Sequence, residues 1–203
     1  LKPVIVDRFI IYGEHDKYKL PENKICIRVE AALAFGTGHH ASTVGCLRAL
    51  SRLAKIGVRV SNIADIGCGY GSFVDYLNRN HSKSKFKYEG FDINPKFIKH
   101  CRSKFSEANL RFVIDSKPSS KKDFVTMSGT YNLATTTNVS LWEQYLFSCL
   151  SECWSYTKTA MIFNLQTSTK SKISSQNIYY ANASKVIDFC VSKLGPTRVV
   201  RDS

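Results

Sequence analysis

Residues 64–71 read Ala64-Asp65-Ile66-Gly67-Cys68-Gly69-Tyr70-Gly71, three glycines at alternate positions directly after an apolar run. Asn62 to Ile66 has the composition of a buried strand, and Ser72 to Asn80 has the spacing of a helix. A strand that turns into a helix through glycines builds a ligand loop. The glycines reach positive φ, let a ligand lie against the backbone, and expose the free amides of the helix start. A tight turn alone needs one glycine rather than three. A dinucleotide fingerprint needs GxGxxG, whereas position 72 is Ser72 and the spacing is GxGxG, which weighs against NAD.

Strands and helices alternate from there. Lys87 to Asp92 and Leu110 to Ile114 read as strands around a helix from Pro95 to Phe105, whose Asn94-Pro95 start supplies a cap and a first-turn proline. Phe124 to Met127 and Thr159 to Leu165 read as the fourth and fifth strands. Helices are expected over Leu141 to Tyr156 and, capped by Asn182, over Ala183 to Leu194. Thr197 to Arg201 begins a sixth strand. This order predicts an α/β three-layer sandwich around a mostly parallel, Rossmann-like sheet. Gln166 to Asn177 is polar and long for a connection, so it reads as mobile or as a lid. Ahead of the glycines, Arg8 to Tyr12 and Lys24 to Glu30 read as strands of a small lead-in unit, and Ala41 to Leu53 as an amphipathic helix.

Asp65 lies near the end of the first strand of the sandwich and Asp92 ends the second, the edge where open α/β sheets bind ligands. Together with the GxGxG turn, these acids resemble the class I S-adenosylmethionine-dependent methyltransferases. The resemblance implies S-adenosyl-L-methionine as cofactor, with Asp65, Gly67, Cys68, Gly69 and Gly71 around its methionine part and Asp92 on its ribose hydroxyls. Asp115, which closes the third strand, would lie near the adenine, or it is a loop-capping acid. In that family the strand order is 3-2-1-4-5-7-6, so this chain reads as lacking the last strand.

A second stretch, Ala34-Phe35-Gly36-Thr37-Gly38-His39-His40-Ala41-Ser42-Thr43, resembles the AFGTGxHxTT hallmark of the bacterial methyltransferases that modify amino groups of large-subunit ribosomal protein eleven. The similarity extends through Phe9 to Gly13 and Ile25 to Leu50. It implies that Phe35, Gly36, Thr37 and Gly38 close over the cofactor, with Thr37 hydrogen-bonded to it. It also divides the chain into a β lead-in with closing loop (1–40) and a class I domain, C-terminally incomplete, over 41–203. His39 and His40 are adjacent and would diverge on a helix, so no metal pair is expected. Beyond Gly71 the likeness weakens. Where that family ends its fourth strand in asparagine, Asp123-Phe124-Val125-Thr126-Met127-Ser128 places Ser128. Ser128, Asn132 and His40 are the acceptor-side candidates. Phe163 to Ser168 and Tyr179 to Asn182 resemble a different, poorly characterised group of class I methyltransferases.

The 203 residues carry 29 Lys plus Arg against 16 Asp plus Glu, a formal charge of +13, with 43% apolar and 22% charged residues. That composition fits one globular domain with an appendage and excludes wholesale disorder, collagen and coiled coil. No apolar run is long enough to span a membrane, and no signal peptide opens the chain, which begins at Leu1 and so reads as a fragment or processed chain. Seven scattered cysteines without a CxxC pair read as reduced thiols in a cytoplasmic protein. The positive charge favours acidic partners, a ribosomal protein in a ribonucleoprotein or RNA itself. Lys83, Lys85, Lys87, Lys96, Lys99, Arg102 and Lys104 form either a phosphate-facing surface or a solvated face. The function expected is a methyltransferase acting on amino groups of a ribosomal protein. The alternatives are a methyltransferase of another acceptor and a non-catalytic methyltransferase-like module that binds RNA.

Overall fold

The computed structural model of the chain describes residues 4–6, 9–12, 25–28, 61–80 and 86–199. Near the N-terminus, β1 (Val4–Val6), β2 (Phe9–Tyr12) and β3 (Ile25–Arg28) form a sheet in that order, with β1 antiparallel to β2 and β2 parallel to β3. The expected lead-in strands are there, joined by Val4–Val6, three residues too short to show a period. The helix expected over Ala41 to Leu53 lies outside the described residues.

The main sheet begins with β4 (Asn62–Ile66), followed by helix α1 (Ser72–Asn80), β5 (Lys87–Asp92), α2 (Pro95–Lys104) and β6 (Leu110–Ile114). It continues through β7 (Lys122–Met127), α3 (Val139–Ser155) and β8 (Thr157–Phe163). The five strands are ordered β6-β5-β4-β7-β8 and every neighbouring pair is parallel. In expected-strand numbers this is 3-2-1-4-5, the class I order up to the fifth strand.

Period-two alternation explains the three layers. Ile63, Tyr88 and Phe112 pack with Val74, Leu77, Ile98 and Cys101 in a core shared with α1 and α2. Their neighbours Ala64, Ile66 and Phe91 pack with Trp142, Leu146 and Leu150 of α3 in a second core on the other face. Burying one such large apolar side chain stabilises by roughly 2 kcal/mol, so two continuous cores fix the sheet's register. Asn94 caps α2 as its sequence predicts, its Oδ1 accepting the Lys96 N–H at 3.0 Å with Pro95 in the first turn. Asn138 caps α3 in the same way, starting that helix two residues earlier than expected.

The region after β8 corrects two expectations. Gln166 to Asn177 is not a bare loop. It contains β9 (Thr167–Ser168) and β10 (Lys172–Ile173), which flank β11 (Tyr179–Asn182) in a small sheet ordered β10-β11-β9. Two-residue strands among polar residues carry no alternation to read. The last helix, α4 (Ala183–Phe189), is capped by Asn182 as expected but passes into a π turn over Cys190–Leu194, closed by Gly195 at φ 125°. Of the expected sixth strand, Thr197 to Arg201, residues 197–199 form no strand and residues 200–201 lie outside the described residues, so among the described residues the main sheet ends at β8. β-branched residues make a strand only against a partner edge. No helix among the described residues is long and apolar enough to cross a membrane.

Candidate functional site

β4 ends at Ile66 and the chain turns through Gly67, Gly69 and Gly71 with φ of 71°, 54° and 78°. The amides of Gly67 and Cys68 both donate to the Phe91 carbonyl, at 2.7 and 3.0 Å, and the Gly71 amide donates to the Cys68 carbonyl at 2.9 Å. The three glycines answer different constraints. A Cβ on Gly67 would lie 2.7 Å from Thr130 Oγ1, and one on Gly71 would lie 2.5 Å from the Phe105 ring. Among the described residues, a Cβ on Gly69 would meet nothing within 4 Å. Gly67 and Gly71 therefore let the loop pack on protein, whereas Gly69 faces open space that a ligand can occupy.

Both expected acids stand under this loop. Asp92 is 8% exposed; its Oδ2 accepts the Gly69 amide at 3.0 Å and its Oδ1 accepts the Asn94 amide at 2.8 Å. Each carboxylate oxygen keeps a lone pair for a further donor, which suits a pair of ligand hydroxyls. Asp65 is 2% exposed and accepts the Tyr88 hydroxyl at 2.7 Å. Burial pushes its carboxyl up from 3.8 to about 7; the Tyr88 hydrogen bond opposes the rise and the Asp92 charge adds to it. A cationic ligand above the loop would relieve both acids.

The rim is apolar. Ile93, directly after Asp92, is 71% exposed, and Ile114, at the end of β6, is 52% exposed. The register pairs Asp92 with Ile114, so both isoleucines stand at the C-terminal edge of adjacent strands, a site for a flat apolar group. Exposed Asp115 follows Ile114 on the same edge, its Oδ1 accepting the Ser116 amide at 2.7 Å. Sequence reasoning passed over the isoleucines because exposure is not written in residue type.

On the other side of Gly67, Ser128 follows β7 and is half-buried. The next residue, Gly129, donates its amide to Asn164 Oδ1 at 2.8 Å. Thr130 donates its hydroxyl to the Ile66 carbonyl at 2.6 Å, tying this turn to the glycine loop. Asn132 is 1% exposed, and its side-chain oxygen accepts the Gln166 amide at 3.0 Å. Its backbone carbonyl accepts the Tyr179 amide at 2.8 Å. Asn132 thus joins the turn after β7 to the segment after β8. Thr130 and Asn164 were read only as members of the Ser128 to Asn132 and Phe163 to Ser168 stretches, and Tyr88 was not singled out from sequence, since their partners lie 64, 35 and 23 positions away.

Glu143 on α3 holds the segment in place. Buried at 5% exposure, it accepts hydrogen bonds from Ser171, from the Tyr179 hydroxyl at 3.0 Å and from Lys185. Burial pushes its carboxyl up, but the Lys185, Ser171 and Tyr179 hydrogen bonds together bring it below the ordinary glutamate value.

Phe35, Gly36, Thr37, Gly38 and His40 lie outside the described residues, as do Lys83 and Lys85. Lys87, Lys96, Lys99, Arg102 and Lys104 are exposed, but Arg102 donates to the Phe112 carbonyl at 3.0 and 2.7 Å and Lys104 lies 3.9 Å from Asp75. Part of the basic face therefore serves the fold. A cavity of about 240 Å³ lined by Asn62, Lys87, Glu89 and Lys122 lies at the opposite end of the strands, away from the glycine loop.

The ribosomal protein L11 methylase of Lactobacillus delbrueckii subsp. bulgaricus superposes with a TM-score of 0.61 at 16% identity, over 95% of this chain and 89% of that one. The O-methyltransferase of a Brevibacillus brevis trans-AT PKS multienzyme, solved with S-adenosyl-L-homocysteine, gives 0.50 at 11% identity over 66% and 46%. The chain has the class I methyltransferase fold. Within this methyltransferase fold, residues 1–74 match the family Ribosomal protein L11 methyltransferase (PrmA), and residues 63–160 match the family Methyltransferase domain. A Caulobacter ribosomal protein L11 methyltransferase is 37% identical over 115 residues, 56% of this chain and 38% of the relative. Its Bradyrhizobium diazoefficiens counterpart is 49% identical over 71 residues, 35% and 24%. The matched stretch thus spans less than two fifths of these relatives.

Proposed function

We propose that the chain is an S-adenosyl-L-methionine-dependent methyltransferase whose acceptor is an amino group of a ribosomal protein. The observation that carries the cofactor is the open space at Gly69, beside an Asp92 carboxylate with lone pairs to spare and above a buried acid. The acceptor reading is supported by the Ala34 to Thr43 stretch and by the match over residues 1–74 to a family named for ribosomal protein L11.

When bound, the cofactor supplies a sulfonium-activated methyl group, which the acceptor nitrogen takes as it gives up its proton. The chain's own contribution is positional. The 67–71 backbone would seat the methionine part, Asp92 would accept hydrogen bonds from the ribose hydroxyls, and Ile93 and Ile114 would bracket the flat base. Ser128 and the turn held by Asn164 line the acceptor side. Residues 1–40 would add the closing loop, with Thr37 on the cofactor and His40 near the acceptor, to the domain formed by 41–203.

The test is transfer of radiolabelled methyl to purified ribosomal protein L11. Label in the protein, lost in Gly69→Asn, is expected. Label that appears only in RNA would refute the acceptor, and a chain that binds no cofactor would refute the activity.

A further inference from the structure

Among the described cysteines, Cys68 and Cys101 are the two placed at the glycine loop. Cys68 lies between Gly67 and Gly69, and Cys101 lies near the end of α2. The two thiols converge on one acceptor, the Gly69 carbonyl, 3.2 Å from Cys101 Sγ and 4.0 Å from Cys68 Sγ. Missing side chains leave room for both sulfurs beside that carbonyl. A Cβ on Gly90 would lie 3.0 Å from Cys68 Sγ and one on Gly71 would lie 3.3 Å from Cys101 Sγ.

We propose that Cys68 and Cys101 form a reversible disulfide under hydrogen peroxide, and that closing it loosens the cofactor loop. The gating half rests on the reading that residues 67–71 hold the cofactor; the disulfide itself does not. The neighbouring Cys68 thiol pulls the Cys101 thiol down, against its burial and with help from Lys104, so of the pair Cys101 is the sulfur that ionises more readily. Its thiolate attacks peroxide: an S–O bond forms, the O–O bond breaks, and the departing hydroxide leaves as water with the proton that Cys101 released. Cys68 then attacks that sulfur. The S–S bond forms, the S–O bond breaks, and the hydroxyl leaves with the Cys68 proton as a second water. Two thiols are oxidised and one peroxide becomes two waters.

The reduced pair donates to the Gly69 carbonyl, while the Gly69 amide is held by Asp92. A disulfide has no S–H, so oxidation removes the donor from the Gly69–Tyr70 peptide, while the Cys68–Gly69 peptide stays held by Asp92, and the Gly69 carbonyl is left to reorient.

The full chain is treated with hydrogen peroxide, digested without reduction and mapped by mass spectrometry. Binding of S-adenosyl-L-homocysteine is measured by calorimetry on the reduced, oxidised and re-reduced chain. A peptide linking Cys68 to Cys101 is expected. With it should come a loss of affinity of about five- to tenfold, the worth of roughly one hydrogen bond, restored by dithiothreitol. Cys101→Ser, which keeps a donor but cannot cross-link, should show no peroxide effect on binding, and Cys68→Ser is the second such variant. Oxidation of other cysteines with this pair left unlinked overturns the disulfide. Linkage with unchanged affinity overturns the gating. A reduced chain that binds no S-adenosyl-L-homocysteine overturns the cofactor reading and the gating together, while the linked peptide still decides the disulfide.

Discussion

The glycine loop at residues 67–71 and the segment over 166–182 are both pinned by distant side chains, yet they are built from opposite kinds of information. The loop is backbone-driven: three positive-φ glycines, two amides on one carbonyl and a capped helix just beyond the next strand. The segment is side-chain-driven, because its short strands hang on Glu143, Asn132 and Asn182. A local motif can therefore announce the first, whereas the second exists only once α3 and β7 have been placed beside it.

Substitutions separate the two regimes. The largest effect is expected at Gly71. Valine there would combine φ 78° with a Cβ 2.5 Å from the Phe105 ring, and should cost about 3 kcal/mol or more of stability in denaturant unfolding. Stability retained in Gly71→Val would show that the loop adapts and that its conformation is not set by this contact.

Next comes Glu143→Ala, which strips the acceptor from Ser171, Tyr179 and Lys185 and should cost about 2 kcal/mol. Hydrogen exchange should quicken over 167–182 while Ile63 to Ile66 stay protected. Because the folded Glu143 value lies below the ordinary glutamate value of 4.5, its contribution is present above pH 4.5 and fades as pH falls through the folded value. The gap between wild type and Glu143→Ala should accordingly close in acid. Uniform loss of protection across the sheet would mean that the segment is part of one cooperative unit with the loop.

The smallest effect is on pH dependence. Asp65 is raised from 3.8 to about 7, so the stability tied to its protonated form is complete below pH 3.8 and is lost as pH rises through about 7. A cationic ligand favours the ionised form. Affinity for S-adenosyl-L-methionine should rise about fivefold from pH 6 to pH 8, with proton release on binding. A flat profile in calorimetry would place the ligand's charge away from Asp65.

What could be read in advance follows the same division. Asp65, Gly67, Gly69 and Asp92 stand together at one edge as the GxGxG spacing and the strand ends imply, and the caps at Asn94 and Asn182 form as expected. Those signals act over a few residues. Tyr88 under Asp65, Thr130 against Gly67 and Glu143 beneath the segment act across the sheet, where only tertiary packing defines a neighbour. Thr197 to Val199 shows the converse, since residues with β propensity make no strand where none of the described strands pairs with them.

The central claim is that Gly69 is a glycine for the ligand's sake and Gly71 for the fold's. Calorimetric titration of S-adenosyl-L-homocysteine into wild type and Gly69→Asn tests it directly, because asparagine tolerates positive φ and should leave stability within about 1 kcal/mol. The account predicts one equivalent bound by wild type and binding at least about a hundredfold weaker in Gly69→Asn, the loss expected when a side chain fills the crevice. Equal binding by both proteins would contradict it.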